Sequence, residues 1–76
     1  MPNYRTEWGP GHHVRVRKGA EGEARRLSLN GEVGRIVAIK IIVTESYTDD
    51  VIYMVRLPIA GSSIEIPLRF HDLEPV

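Results

Sequence analysis

Residues 11 to 19 read Gly-His-His-Val-Arg-Val-Arg-Lys-Gly, and Arg25-Arg26 follows shortly after. The guanidinium forks and ammonium charge of Arg15, Arg17, Lys18, Arg25 and Arg26 are the groups that meet phosphates and carboxylates. They form the leading candidate binding surface of the chain. The plainer reading is a solvated strand face beside a loop, partly neutralised by Glu21 and Glu23. Stacking aromatics are not interleaved with these cations, since Tyr47 and Tyr53 lie elsewhere. That places nucleic acid behind protein as the expected partner.

Other chemistries find weaker support. His12 and His13 are adjacent, so on a strand they point to opposite faces, and no His-x-His or His-x3-His spacing exists. Ser62, Ser63, His71 and Asp72 supply the letters of a hydrolase triad. No nucleophile-elbow context surrounds them, and neighbouring His71 and Asp72 are awkwardly placed for an orienting hydrogen bond. Glu45, Asp49 and Asp50 read as turn residues rather than an acid/base pair. Cysteine is absent, which excludes disulfides and thiolate metal sites. No metal, no cofactor and no catalytic residue are expected.

The elements that position the cations are strands. His13 to Arg17 alternates, with Val14 and Val16 on one face and His13, Arg15 and Arg17 on the other. Lys18 to Asn30 is polar and carries Gly19 and Gly22. A short helix can be drawn through Glu21 to Leu29, but without a sustained apolar period. The preferred reading is a long loop whose Leu27 and Leu29 fold back on the core. Gly34 to Val43 is β-branched and apolar, a second strand. Ile36 and Ile39 are three apart, so a bulge or bend must lie between them if both face inward. The run holds more β-branched residues than one inward face needs. If Val37 and Ile41 point outward, they form an exposed partner patch; burial on both faces is the alternative.

Residues 44 to 50 read as a turn, and Val51 to Leu57 as a third strand with Val51, Tyr53, Val55 and Leu57 on one face. Pro58 to Ser63 is a connection centred on Gly61. Ile64, Ile66 and Leu68 then alternate with Glu65, Pro67 and Arg69, and Pro67 marks an edge strand. Residues 69 to 76 read as one tight turn carrying Leu73, then a short extended piece. Residues 1 to 10 read as an extended N-terminal arm whose Trp8 packs on the barrel or on a partner.

The chain has 76 residues, one domain's worth. A domain of this size buries only about 60% of its unfolded surface, so a tight core, self-association or docking must stabilise it. Net charge is zero but unevenly placed. Residues 1 to 30 hold six Lys/Arg against three Asp/Glu, and residues 31 to 76 hold four against seven. Such a split marks a nucleic-acid or acidic-protein contact in some chains, and equally head-to-tail self-association or nothing in others. Overall neutrality argues against strong nonspecific nucleic-acid binding. The first residues carry no apolar h-region, and the apolar run Ile36 to Val43 is broken by Lys40. The expectation is a cytoplasmic protein with no membrane contact.

Several short pieces together resemble SH3-like barrels. They are Val14-Arg15-Val16, Gly31-x-x-Gly34-x-Ile36-x-x-Ile39, Tyr53-x-Val55-x-Leu57 and Asp72-Leu73-Glu74-Pro75-Val76. Within that fold, Gly11-His12-His13-Val14-Arg15-Val16, the long first loop and Gly31-Glu32-Val33-Gly34 are similar to the electron-transport-accessory group. That group includes the nitrile hydratase beta-subunit barrel, the ferredoxin–thioredoxin reductase variable chain and a photosystem I peripheral subunit. The resemblance implies a small, all-β, five-stranded, partly open barrel over residues 11 to 76 with a long first loop. It also implies an accessory module that docks on a larger enzyme or on itself. Type II dihydrofolate reductase is a related short barrel whose catalytic Val-Gln-Ile-Tyr segment is matched here by Ile64-Glu65-Ile66-Pro67. With glutamine and tyrosine both replaced, an oligomeric reductase is the weakest expectation. KOW-type barrels share the Gly-x-x-Gly-x-hydrophobic core and imply RNA binding, but their first loop is shorter.

The expected function is therefore a non-catalytic protein-interaction module. Its candidate contact residues are Arg15, Arg17, Lys18, Arg25, Arg26, Trp8, Val37 and Ile41.

Overall fold

A computed structural model describes residues 8–42 and 50–76. Five strands form one antiparallel sheet: β1 (His13–Val16), β2 (Val33–Ile42), β3 (Asp50–Ile59), β4 (Ser62–Arg69) and β5 (Leu73–Pro75). The spatial order is β4-β3-β2-β1-β5. The sheet is an all-β, partly open barrel, because β4 and β5 are its two unpaired ends. A 3₁₀ turn, Phe70–Asp72, carries the chain from one end to the other.

The core is the set of inward positions that alternation marks out. Val14, Val16, Ile36, Tyr53, Val55, Leu57, Ile66, Leu68 and Leu73 are all buried in one cluster. Val51, Ile39, Ile64 and Leu27 pack against its margin. The three-residue step from Ile36 to Ile39 is resolved by a shift of register on β3 between Ile36 and Ala38. Val37 is the extra residue of that bulge, and β2 bends there.

Gly34 lets β2 approach β3. A Cβ at this position would come within 2.6 Å of the Arg56 carbonyl oxygen and 2.6 Å of Leu57 Cδ2. No side chain fits such a gap, so the glycine fixes how tightly the barrel curls.

Four boundaries differ from the sequence reading. The first loop is not helix-free: Glu23–Arg26 forms one helical turn, α1. It is too short to show a period, yet its end is well defined. The Leu29 amide donates to the Ala24 carbonyl at 2.8 Å, and the Ser28 amide to that of Arg25 at 3.1 Å. Ser28 takes the left-handed conformation between them, φ 58. This is a Schellman closure with Ala24 and Leu29 both buried beneath it. The β3–β4 connection is shorter than Pro58 to Ser63: Pro58 still opposes Ser63, and Ala60-Gly61 alone makes the turn. Both turn residues have positive φ, 47 and 78, the twist a two-residue hairpin requires. Asp50 opens β3 opposite Ile42 rather than closing a turn. Leu73 opens β5 rather than sitting in the preceding turn. Val43 and the rest of the turn segment, residues 44–49, lie outside the described residues.

Trp8 belongs to the core. It is 6% exposed. Its ring stacks on Phe70 at 5.1 Å and tilts against Tyr53 at 5.6 Å. The end of the expected arm is thus fastened to β3 and to the 3₁₀ turn. Residues 1–7 lie outside the described residues.

Candidate functional site

The β1 alternation aims Arg15 outward while Val14 and Val16 go in. Arg17 follows directly, and its position is fixed twice. Its amide donates to the Asp72 carbonyl at 2.9 Å, and its Nε donates to the Leu73 carbonyl at 2.9 Å. The remaining guanidinium N–H groups stay available to a ligand. Lys18 and Gly19 come next, on a bend with no ladder to hold it.

Asn30 holds that bend. Its side-chain nitrogen donates to the carbonyls of Arg17 at 3.1 Å, Lys18 at 3.0 Å and Ala20 at 2.8 Å. One amide thus replaces the missing ladder across the segment that carries two of the cations. Gly31 completes the tie, its amide donating to the Val16 carbonyl at 2.8 Å.

These residues converge on a groove of about 810 Å³ lined by Arg15, Arg17, Lys18, Gly19, Gly31, His71 and Glu74. Three cations, of which Arg17 is held by its own side-chain hydrogen bond, share the groove with a single carboxylate. Glu74 is the cross-strand neighbour of Arg15 on β5. The imidazole of His71 is 74% exposed, with Nε2 at 3.5 Å from Asp72 Oδ1. The sequence-neighbour pair thus does meet, as a loose polar contact. Ser62 and Ser63 sit at the far end of β4, about 20 Å along the strand from His71, so no triad assembles from these residues. Among the described residues no three His, Cys, Asp or Glu side chains gather where they could hold a metal ion.

The sequence-predicted cluster is therefore split. Arg15, Arg17 and Lys18 come together; Arg25 and Arg26 do not join them. Both lie on α1, and Arg26 makes a two-point contact with Glu23, at 3.0 Å and 2.6 Å. The hydrogen bond from Arg26 holds the Glu23 carboxyl below its ordinary range, and the same bond raises Arg26. The charge of Arg26 is satisfied locally by Glu23, while Arg25 is exposed and does not line the groove.

The outward apolar residues also separate. Val37 is half-buried at the bulge. Ile41 and Ile42 are 44% and 45% exposed at the far end of β2. Consecutive strand residues face opposite ways, so both sides of that strand end are uncovered. Trp8, buried against Phe70 and Tyr53, offers no contact surface in this structure.

Sequence reasoning missed Asn30, His71 and Glu74 as parts of the groove. Only the residue before Gly31 carried a signal, Asn-Gly, and it pointed to a turn rather than to a clamp. Compared with protein-family models, with curated proteins and with solved structures, the chain matches none of them.

Proposed function

We propose that the chain is a non-catalytic interaction module that docks an acidic segment of another protein in the groove of Arg15, Arg17 and Lys18. The observation that carries this reading is the convergence of three cations on one concave surface against one carboxylate. Guanidinium forks there meet carboxylates two points at a time.

The sheet ends support docking by side chains rather than by strand addition. β4 contains Pro67, and β5 is three residues long and ends in Pro75. Proline supplies no ladder donor, so both ends are poor templates for another strand. A partner protein is favoured over RNA because no Phe, Tyr or Trp lines the groove. The exposed His71 imidazole is the one ring among its lining residues, a small platform for base stacking. The sequence resemblance to the SH3-like electron-transport-accessory group supports the same reading, that of a small barrel serving a larger enzyme.

The test is an amide NMR titration of the full chain with hexaglutamate and, separately, with a mixed-sequence RNA hexamer at low salt. Shifts centred on residues 15–19, 31 and 71–74 with hexaglutamate are expected, and Arg15→Gln with Lys18→Gln should weaken them by about tenfold. Tighter binding of the RNA with a steep salt dependence would move the function to nucleic acid. No shift with either probe would overturn the proposal.

A further inference from the structure

A second cationic site lies on the outward face, and sequence reasoning did not single it out. Ladder register sets Arg35 of β2 directly opposite Arg56 of β3. His13 of β1 opposes Arg35, and Glu65 of β4 opposes Arg56. One row therefore crosses four strands: His13, Arg35, Arg56, Glu65. Directly opposed side chains have Cβ atoms about 5 Å apart, and like charges at that spacing weaken a sheet. Among the described residues, Arg56 alone of the two has a carboxylate to offset this, Glu65 at 3.2 Å. That ion pair is exposed, 45% and 47%, so water screens it and a competitor can displace it.

The two arginines open onto a concavity of about 470 Å³ lined by Pro10, Gly11, Arg35, Ile36, Val37 and Arg56. Its wall is fixed. The Gly11 amide donates to the Ile36 carbonyl at 2.6 Å, and the Ile36 amide to that of His12 at 2.9 Å. Gly11 has φ +91, a conformation side chains rarely adopt. The pocket thus combines two guanidinium forks with an apolar flank of Pro10 and Val37.

From this geometry we infer that Arg35 and Arg56 form a clamp for a phosphoryl dianion, either free phosphate or the phosphate of a small monoester. Once a ligand displaces the exposed Glu65 from Arg56, the two opposed forks present two positive charges to it, which a dianion neutralises and a single carboxylate does not. Phosphate oxygens accept bidentate N–H donation from each fork. Glu65 serves as an internal competitor that keeps Arg56 oriented when the clamp is empty. The clamp is independent of the acidic-peptide groove, since it sits on β2 and β3 rather than on β1, β5 and the first loop.

The experiment follows Arg Nε–Hε and backbone amide signals of the full chain during titration with inorganic phosphate, and in a second arm with phenyl phosphate. Shifts are expected at residues 10–13, 35–37 and 56. Arg35→Gln should weaken binding by about tenfold or more. Glu65→Gln should tighten it, because the competitor is gone. Arg35→Gln should also keep or raise the melting temperature, because a repulsion is relieved, and this separates loss of binding from loss of folding. Tighter binding of phenyl phosphate than of inorganic phosphate assigns the apolar flank to a monoester; equal binding assigns the clamp to the phosphoryl group alone. Weaker or unchanged phosphate binding in Glu65→Gln, or shifts confined to residues 15–19 and 71–74, would overturn the inference.

Discussion

The molecule carries two cationic surfaces that are built by different means. In the groove, Lys18 and Gly19 lie on irregular backbone held by the Asn30 amide and by the Gly31–Val16 bond. In the arginine row, Arg35 and Arg56 are placed by strand register, with Ile36 and Val55 beneath them as the inward pair. The bend of the first rests on one side chain and a few backbone bonds, whereas the second is shared across a whole ladder. A loop clamp can be loosened without unfolding the barrel; register cannot be altered without moving the core.

The largest effect is therefore expected at the register. Gly34→Ala puts a methyl group within 2.6 Å of the Arg56 carbonyl oxygen, an atom that cannot turn away. Forcing β2 off β3 should cost about 3 kcal/mol, at the upper end of overpacking penalties. Chemical denaturation checks the loss, and NMR of the remaining folded fraction should show displaced Arg35 and Arg56 signals. A fully stable variant with unchanged arginine signals would break the claim that register places the row.

A smaller and more local effect is expected at the clamp. Asn30→Ala removes the donor to three carbonyls, of which water can reach those near the surface. A loss of about 1–2 kcal/mol follows from the contacts removed and from partial loss of satisfaction at Ala20. Amide hydrogen exchange should rise over residues 17–20 and stay unchanged in β2 and β3. Hexaglutamate binding should fall while phosphate binding at the arginine row persists. Loss of both together would show that the two surfaces are not separately built.

The same contrast explains what could be read from the sequence. Strand alternation alone marks Val14, Val16, Tyr53, Val55, Leu57, Ile66 and Leu68 as inward, and all are buried. The spacing of Ile36 and Ile39 even calls for the bulge found at Val37. Leu29 folds back as its isolated apolar position in a polar loop implies. Pairing partners are another matter. Nothing in the neighbourhood of Arg35 or Arg56 says that they oppose each other, because 21 positions separate them and register emerges only from the whole ladder. Asn30 was legible as a turn residue but not as a donor to the segment ten to thirteen positions earlier. Arg25-Arg26 looked continuous with Arg15-x-Arg17-Lys18 in sequence. Glu23, three residues before Arg26 on one helical turn, takes that charge instead.

The α1 pair supplies the smallest effect and the sharpest local test of that division. Glu23 titrates below the ordinary carboxylate range, chiefly because Arg26 donates a hydrogen bond to it; desolvation opposes this, and the Arg26 charge adds a smaller lowering. A carboxyl depressed in the folded state adds stability above its unfolded titration range. That contribution disappears as pH falls through the lower folded value. Both side chains are well exposed, 67% and 47%, so screening keeps the effect on unfolding small. The measurement is a side-chain carboxyl NMR titration in which Glu23 should titrate below the ordinary carboxylate range. Arg26→Gln should return Glu23 toward the ordinary range while leaving hexaglutamate binding at Arg15, Arg17 and Lys18 unchanged. If Arg26→Gln weakened that binding instead, α1 would belong to the groove after all, and the five cations would act as one surface.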